Sequence, residues 1–580
     1  MSSRLRRSLV LTTLLALLLG VAGAAARTSL AANPPNTKVS GIDVDATTIP
    51  QLQKFMNSHR LNSVNLMNFY LQRIRRLNSE LNAVITVSPT AHADALAADR
   101  ARRNGDHRPL LGIPIIVKDN VDTTGMPTTA GSWALAGSTP GDAFIAQKLK
   151  AAGAIIIGKA NLSEWANFRS GPSSSGWSGI GGQTNMPYVL DRNPCGSSSG
   201  SGVVAAADLA VAAVGTETDG SIVCPSGANG VVGIKPTLGL WSRAGVVPIS
   251  ANQDTAGPIA RNVTDAAVLL GAATGVDSND AATAAQAGHA FTDYTQFLND
   301  RALVGKRIGV WRKDTYSSLV APVVEPILAQ TIAALKAQGA TIVDPTDIDL
   351  STANANEFGA LLCEFKTDIA TYLQTYVDGT NPVSHQAYPQ TLADLIAFNQ
   401  AHPELEGPWN DLVFELAEQT NGRDAACADL RENTTPPAQD AINQVMAGNN
   451  LDAIIALTNG PAWPTNSNPE EGDLGGHFAD YFVGSSNAAA QSGYADITVP
   501  TGYDAGLPLG ITFIGGRWTE PKLIGLAFDY EQATHVRVPP QFIPTIGDAL
   551  FPGVPNPPAL MRAQRPQATQ GQRDLVARFR

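Results

Sequence analysis

Apolar positions along the chain change their spacing several times, and each change marks a different kind of element. After Asn62-Ser63, a helix-start signal, Val64, Leu66, Met67, Tyr70, Leu71 and Ile74 recur at helical intervals, which assigns Arg73, Arg75 and Arg76 to the wet side. The run Ile113 to Val117 is short and β-rich and predicts a buried strand. Asp142 to Ala152 is helical in pattern, and Ala154 to Ile157 is the next strand. Gly200 to Ala207 predicts a helix of small residues, and Val211 to Val214 a strand leading into Thr216. Farther on, Arg307 to Trp311, Val323 to Gln338 and Thr341 to Val343 repeat strand, helix, strand. Leu451 to Leu457 and Leu509 to Ile514 read as strands, and Pro521 to Ala533 as a closing helix. This alternation predicts an α/β fold with a largely parallel sheet. The stretch 345–450 is more helical and polar and reads as an insertion shaping a substrate cleft. No period typical of repeat proteins occurs, which excludes a solenoid.

Composition narrows the class. A chain of 580 residues with 44% hydrophobic content can bury a large core, in one big domain or several. A formal net charge of −11 argues against a general nucleic-acid binder, which needs clustered Lys and Arg, and more weakly against an anionic membrane surface. The first 26 residues predict an export signal. Arg4, Arg6 and Arg7 precede the apolar run Leu9 to Gly20, and Ala24-Ala25-Ala26 offer a cleavage site. The run is too short for a comfortable membrane span, so no stable membrane insertion is expected after cleavage; an uncleaved N-terminal anchor is the competing reading. The expected location is periplasmic or secreted. Residues 27–45 read as a polar linker, and 538–580 as an irregular proline-rich tail. The four cysteines, Cys195, Cys224, Cys363 and Cys427, permit disulfides in an exported chain but leave the pairing open. Scattered histidines and the lack of a Cys-x-x-Cys pair call for no metal, and nothing calls for a cofactor.

Three clusters carry the candidate chemistry. The first is Ile115-Ile116-Val117-Lys118-Asp119-Asn120. A lysine after a strand is ordinarily a solvated residue, but the apolar run before Lys118 should be buried. Burial without a fixed counter-charge favours the neutral amine. A lysine base at neutral pH needs its pKa lowered by roughly three from about 10.4, about 4 kcal/mol. The second cluster is Asn193-Pro194-Cys195-Gly196-Ser197-Ser198-Ser199-Gly200-Ser201. Its Gly196-x-Ser198-x-Gly200 also fits a nucleophile elbow, with Ser198 as nucleophile, although no histidine stands in a telling context. A flexible Gly/Ser linker is the plainer alternative. The third is Gly215-Thr216-Glu217-Thr218-Asp219-Gly220-Ser221. Successive amides in such a turn can converge on one oxygen, though an ordinary turn serine is the commoner outcome.

The three clusters occur in order, with flanks Gly112-Ile113-Pro114-Ile115, Gly158-Lys159-Ala160-Asn161 and Val231-Val232-Gly233-Ile234-Lys235-Pro236-Thr237. Together they resemble the amidase signature family over roughly residues 50 to 535. Within it the likeness runs toward bacterial peptide amidases. It is carried by Asp191 to Gly196, Thr216 to Pro225, Pro248-Ile249-Ser250 and Gln253 to Pro258. The resemblance implies one large domain over 46–537, with a mixed, twisted β-sheet core covered by helices on both faces. It implies that Ser221 is the acyl-forming nucleophile, that Ser197 relays the proton through a cis peptide bond, and that neutral Lys118 is the ultimate base. It implies further that the amides of Thr218, Asp219, Gly220 and Ser221 hold the oxyanion, that Ser198 orients Lys118, and that Asn167 lines the acyl pocket. Cys195 stands where glycine is common, Asp219 likewise, and Val223 where arginine is common. These departures bear on substrate rather than catalysis. The expected substrate is a small-molecule or peptide amide, with the C-terminal amide of peptides foremost and fatty-acid, aryl or aliphatic amides next. A non-catalytic subunit of a transamidation complex is the reading from a different class. If the two serines meet, Cys195 and Cys224 come close enough to support the site as a disulfide or as two buried thiols.

Overall fold

Among the described residues, eleven strands form one sheet that organises the fold. The computed structural model describes residues 35–171, 173–405, 407, 409–465 and 483–546. The strands are β1 (Val84–Val87), β2 (Pro114–Lys118), β3 (Ile155–Ala160), β4 (Ala212–Glu217), β5 (Val232–Lys235), β6 (Thr255–Ala260), β7 (Arg307–Val310), β8 (Thr341–Val343), β9 (Ala453–Leu457), β10 (Asp496–Asp504) and β11 (Leu507–Ile514). Across the sheet they run β8-β7-β9-β11-β10-β5-β6-β4-β2-β3-β1. β2 is parallel to β3 and β4, and β7 is parallel to β8 and β9. Between these patches every pairing is antiparallel. The sheet is therefore mixed, not largely parallel. One cause is local: β10 and β11 are joined by Ala505-Gly506, both at positive φ, the short turn that only antiparallel neighbours use.

The helices Phe144–Ala151, Ala321–Ala337 and Glu520–Thr534 form where the apolar spacing predicts them. So does α1 (Ser63–Leu81), whose Asn62 cap accepts the Asn65 amide and whose end turns at Asn82 in the left-handed region. Its inner face carries Leu66, Met67, Tyr70, Ile74, Leu77 and Leu81. Arg73 lies on that same face, three residues from Tyr70, so its assignment to the wet side is corrected. Its guanidinium is buried and donates to the carbonyls of Ala207, Asp208 and Asn36.

Two short helices sit at the centre, α2 (Ser199–Ala206) and α3 (Val223–Ala228). α2 is built of small residues because backbone crosses it closely. A Cβ on Gly200 would lie 2.4 Å from the Asn161 carbonyl oxygen, and one on Gly202 2.7 Å from that of Pro225. A flexible Gly/Ser linker is thereby excluded. Residues 345–450 hold α4 (Ser351–Tyr376), α5 (Leu392–Ala401), α6 (Leu412–Glu418), α7 (Ala425–Glu432) and α8 (Thr435–Asn449). Aromatic and aliphatic side chains of α4, α5 and α6 form a separate core with Trp165 and Phe168, whereas Ala438 and Ile442 of α8 pack with Trp311 and Ile454.

The expected signal at 1–26 and the tail from 547 onward lie outside the described residues. The end of the expected linker is built into the domain. Lys38–Val39 pairs with Ile42–Asp43, Val44 is buried, and Asp45 forms an ion pair with Arg537 at 2.9 Å. Likewise the start of the tail docks, with Phe542 buried and Ile543 bridged to Val189. Among the described residues no helix is long and apolar enough to cross a membrane.

Candidate active site

Lys118 ends β2, and Thr216 lies in the adjacent parallel strand β4, so the sheet itself sets their separation. The Lys118 side chain is fully buried. Its Nζ lies 2.7 Å from Ser197 Oγ, 2.9 Å from Thr216 Oγ1 and 3.3 Å from the Thr216 carbonyl oxygen. A neutral amine has two N–H groups and one lone pair. The two Thr216 oxygens accept the N–H groups, which leaves the lone pair for the Ser197 hydroxyl. Asn120 Nδ2 donates to Thr216 Oγ1 at 2.9 Å and fixes that hydroxyl. Among the described residues no carboxylate comes within ion-pair distance of Lys118, whereas equally buried Lys159 has Asp119 at 3.3 Å. Burial lowers the Lys118 pKa from 10.5 to about 7, against the weaker opposing pull of Asp254 and Glu217.

Ser197 follows a cis peptide bond after Gly196, and its carbonyl accepts the Ser163 amide at 3.0 Å. Ser198 Oγ donates to the Thr216 carbonyl at 3.0 Å and accepts the Thr216 amide at 3.1 Å. Ser198 thus reaches Lys118 only through Thr216. Both Oγ contacts are spent on backbone and no histidine among the described residues joins it, so the nucleophile-elbow reading finds no support there. The amide of Ser198 donates to the Ser221 carbonyl at 3.1 Å, which ties the two serine loops together. Ser221 retains 7% exposure, against 0% for Lys118, Ser197 and Ser198. No hydrogen bond joins the Ser221 and Ser197 hydroxyls in this structure.

The turn before Ser221 is shaped by Glu217, whose carboxylate accepts the amides of Ile222 at 2.7 Å and Val223 at 3.0 Å. Gly220 sits at φ +76, where an L side chain is strained. The amides of Asp219 and Ser221 make no hydrogen bond within the described residues. Asp219 is held by the Ser486 hydroxyl. Burial, and then the nearby Glu357 carboxylate, push its carboxyl well above the carboxylate range, with Ser486 opposing.

Cys195 takes φ +58, a conformation glycine adopts without strain. Here the residue is instead bonded to Cys224, and a second disulfide joins Cys363 on α4 to Cys427 on α7. The first bridge links the loop of Ser197 to the helix that follows Ser221. Loop-closure entropy over its separation of 29 residues is worth about 3–4 kcal/mol. The Cys195→Ser/Cys224→Ser double variant is expected to lose stability of that size in denaturant unfolding. Thiol titration of the denatured, unreduced protein should find none; four free thiols would contradict both bridges.

Asn167 closes three consecutive residues at positive φ, Trp165, Ala166 and Asn167. Packing holds them: Trp165 meets Phe414 edge to face, and Phe168 meets Phe365. Asn167 is half-buried; its Nδ2 donates to Ser175 Oγ at 3.3 Å, and its Oδ1 has no hydrogen-bond partner among the described residues. Sequence reasoning assigned no role to Asn120, Thr216, Glu217, Gln253 or Asp254. The first three stood inside the quoted clusters, and their positions beside Lys118 and Ser221 were the available signal.

Fold and site define an amide-hydrolysing enzyme, and comparison with known proteins agrees. The sequence profile of the amidase family matches residues 65–524, and the chain belongs to that family. It is an amidase, a hydrolase of carbon–nitrogen bonds. A probable amidase of Arabidopsis thaliana is 40% identical, over 87% of this chain and 93% of the relative. A glutamyl-tRNA(Gln) amidotransferase subunit of Halorhodospira halophila is 32% identical, over 85% of this chain and 99% of the relative. Among solved structures, the native peptide amidase of Stenotrophomonas maltophilia superposes with a TM-score of 0.78 at 44% identity, covering 86% of this chain and 99% of that one.

Proposed function

We propose that this amidase is exported and removes the C-terminal amide of peptides, through a Lys118–Ser197–Ser221 relay and an acyl-enzyme. One observation carries the relay: a buried lysine amine 2.7 Å from Ser197, with no carboxylate among the described residues in ion-pair distance. The substrate reading rests on the 44% identity to a peptide amidase, and the export reading on the pattern of residues 1–26.

In this mechanism Ser221 Oγ bonds to the amide carbon. Its proton passes to Ser197 Oγ, whose own proton passes to the Lys118 lone pair. The oxygen that becomes anionic is held by amides of the turn 218–221. Collapse breaks the C–N bond, and the proton returns along the same path to the departing ammonia or amine. Water then repeats the sequence and releases the acid. Substrate binding must draw the Ser221 hydroxyl onto Ser197, since hydrogen bonds of this kind often tighten only in the complex. Asn167 Oδ1 offers an acceptor to the acyl side of the substrate.

Two measurements test this reading. A panel of amidated peptides, acetamide, an anilide and a long-chain amide, scored by ammonia or amine release, should favour the amidated peptides; preference for another class would defeat the peptide assignment alone. The pH profile tests the base. Protonated Lys118 has no lone pair, so kcat/KM should fall tenfold per pH unit below about 7 and level off above it. A profile flat down to pH 5 would contradict a lysine base.

A further inference from the structure

We infer that Gln253 is a positioning residue for the oxyanion site, aiming the Asp219 amide through the carbonyl of Thr218. The inference rests on the proposed roles of Ser221 and of the 218–221 turn. Gln253 Nε2 donates to the Thr218 carbonyl oxygen at 3.0 Å. That carbonyl and the Asp219 N–H belong to one planar trans peptide unit and point in opposite directions. Holding the oxygen therefore fixes where the N–H points, and that N–H has no partner within the described residues.

The Gln253 amide is itself held at every polar atom. Its Nε2 also donates to Glu357 Oε1 at 2.6 Å, and its Oε1 accepts from Arg431 at 2.8 Å. Glu357 lies on α4 and Arg431 on α7, the two helices joined by Cys363–Cys427. Arg431 is in turn paired with Glu364 at 2.6 Å. The neighbouring residue gives a second grip: Thr218 Oγ1 donates to Asp254 Oδ1 at 2.6 Å, and Asp254 Oδ2 accepts the amides of Ile249 and Ser250. Thr218 is thus held by carbonyl and hydroxyl from one rigid loop, which the helices of 345–450 brace. A tetrahedral intermediate depends on such preorganised donors, whereas ground-state binding depends on them little.

The test uses the full chain and three variants, with kcat and KM on one amide substrate. It adds the Ki of a peptide aldehyde, whose serine adduct places an oxygen in the oxyanion position, and the Ki of the matching carboxylate product. Gln253→Met keeps the volume and removes the donor. It is expected to lower kcat roughly ten- to a hundredfold, less than the 10²–10³ of losing a donor outright. The aldehyde Ki should rise in parallel, while KM and product Ki stay within about twofold of wild type. If Gln253→Met does not fold, Thr218→Val carries the test: it should show the same pattern, and wild-type aldehyde affinity in it would overturn the inference. Wild-type aldehyde affinity in Gln253→Met, or equal losses of aldehyde and product binding, would overturn the inference. Ser221→Ala separates the two levels. If it stays active, the reading of the site fails; if it is inactive while Gln253→Met behaves as wild type, only the positioning role fails.

Discussion

Ser221→Ala is expected to lower kcat/KM by roughly 10⁵–10⁶-fold, because it deletes the only serine of the cluster placed to meet a substrate. Ser197 and Ser198 cannot replace it: both are fully buried, one against Lys118 and the other locked to the Thr216 backbone. The substitution removes one oxygen from a nearly buried position whose structural hydrogen bond is made by its carbonyl, not its side chain. Stability should therefore stay near wild type, so that lost turnover with an unchanged unfolding midpoint separates chemistry from folding.

Lys118→Met is expected to cost about 10³–10⁴-fold in kcat, the upper range for loss of a general base. Methionine approximates the lysine stem and supplies no lone pair. It also strips Ser197 of its partner and leaves both Thr216 oxygens without the amine. The pH profile carries the sharper information. Residual activity in Lys118→Met should no longer rise through about pH 7, because the group that titrates there in the wild type is gone. An enzyme that relied on Ser198 and a histidine would retain both its rate and its profile.

Much of this site was legible before the fold. The run Ile115 to Val117 implied a buried lysine, and burial without a counter-charge implied the direction of its pKa change. The structure supplies the reason no counter-charge is present: the nearby acids are committed elsewhere, Asp119 to Lys159 and Glu217 to the amides of Ile222 and Val223. The roles of Gln253 and Asp254 were hidden because they lie some 35 residues from the turn they hold. β10 was missed for a local reason. Pro500 and Gly502 read as breakers, and the chain accommodates them in a bulge between those residues. β6 carries Gly257 and Pro258, and its glycine lets the backbone approach β5, since a Cβ there would lie 2.0 Å from the Ile234 carbonyl oxygen. Arg73 was misplaced because its charge outweighed its spacing, whereas three carbonyls make burial tolerable. Cysteine pairing stayed open because it depends on two loops meeting, which no spacing along the chain reveals.

The central claim is that Ser221 carries the acyl group. Mass spectrometry of the protein quenched during turnover of an activated amide, followed by proteolytic mapping, tests it directly. The predicted result is one acyl adduct on the peptide containing Ser221, absent from Ser221→Ala and much slower to form in Lys118→Met. An adduct on Ser197 or Ser198, or turnover by Ser221→Ala at the wild-type rate, would contradict it.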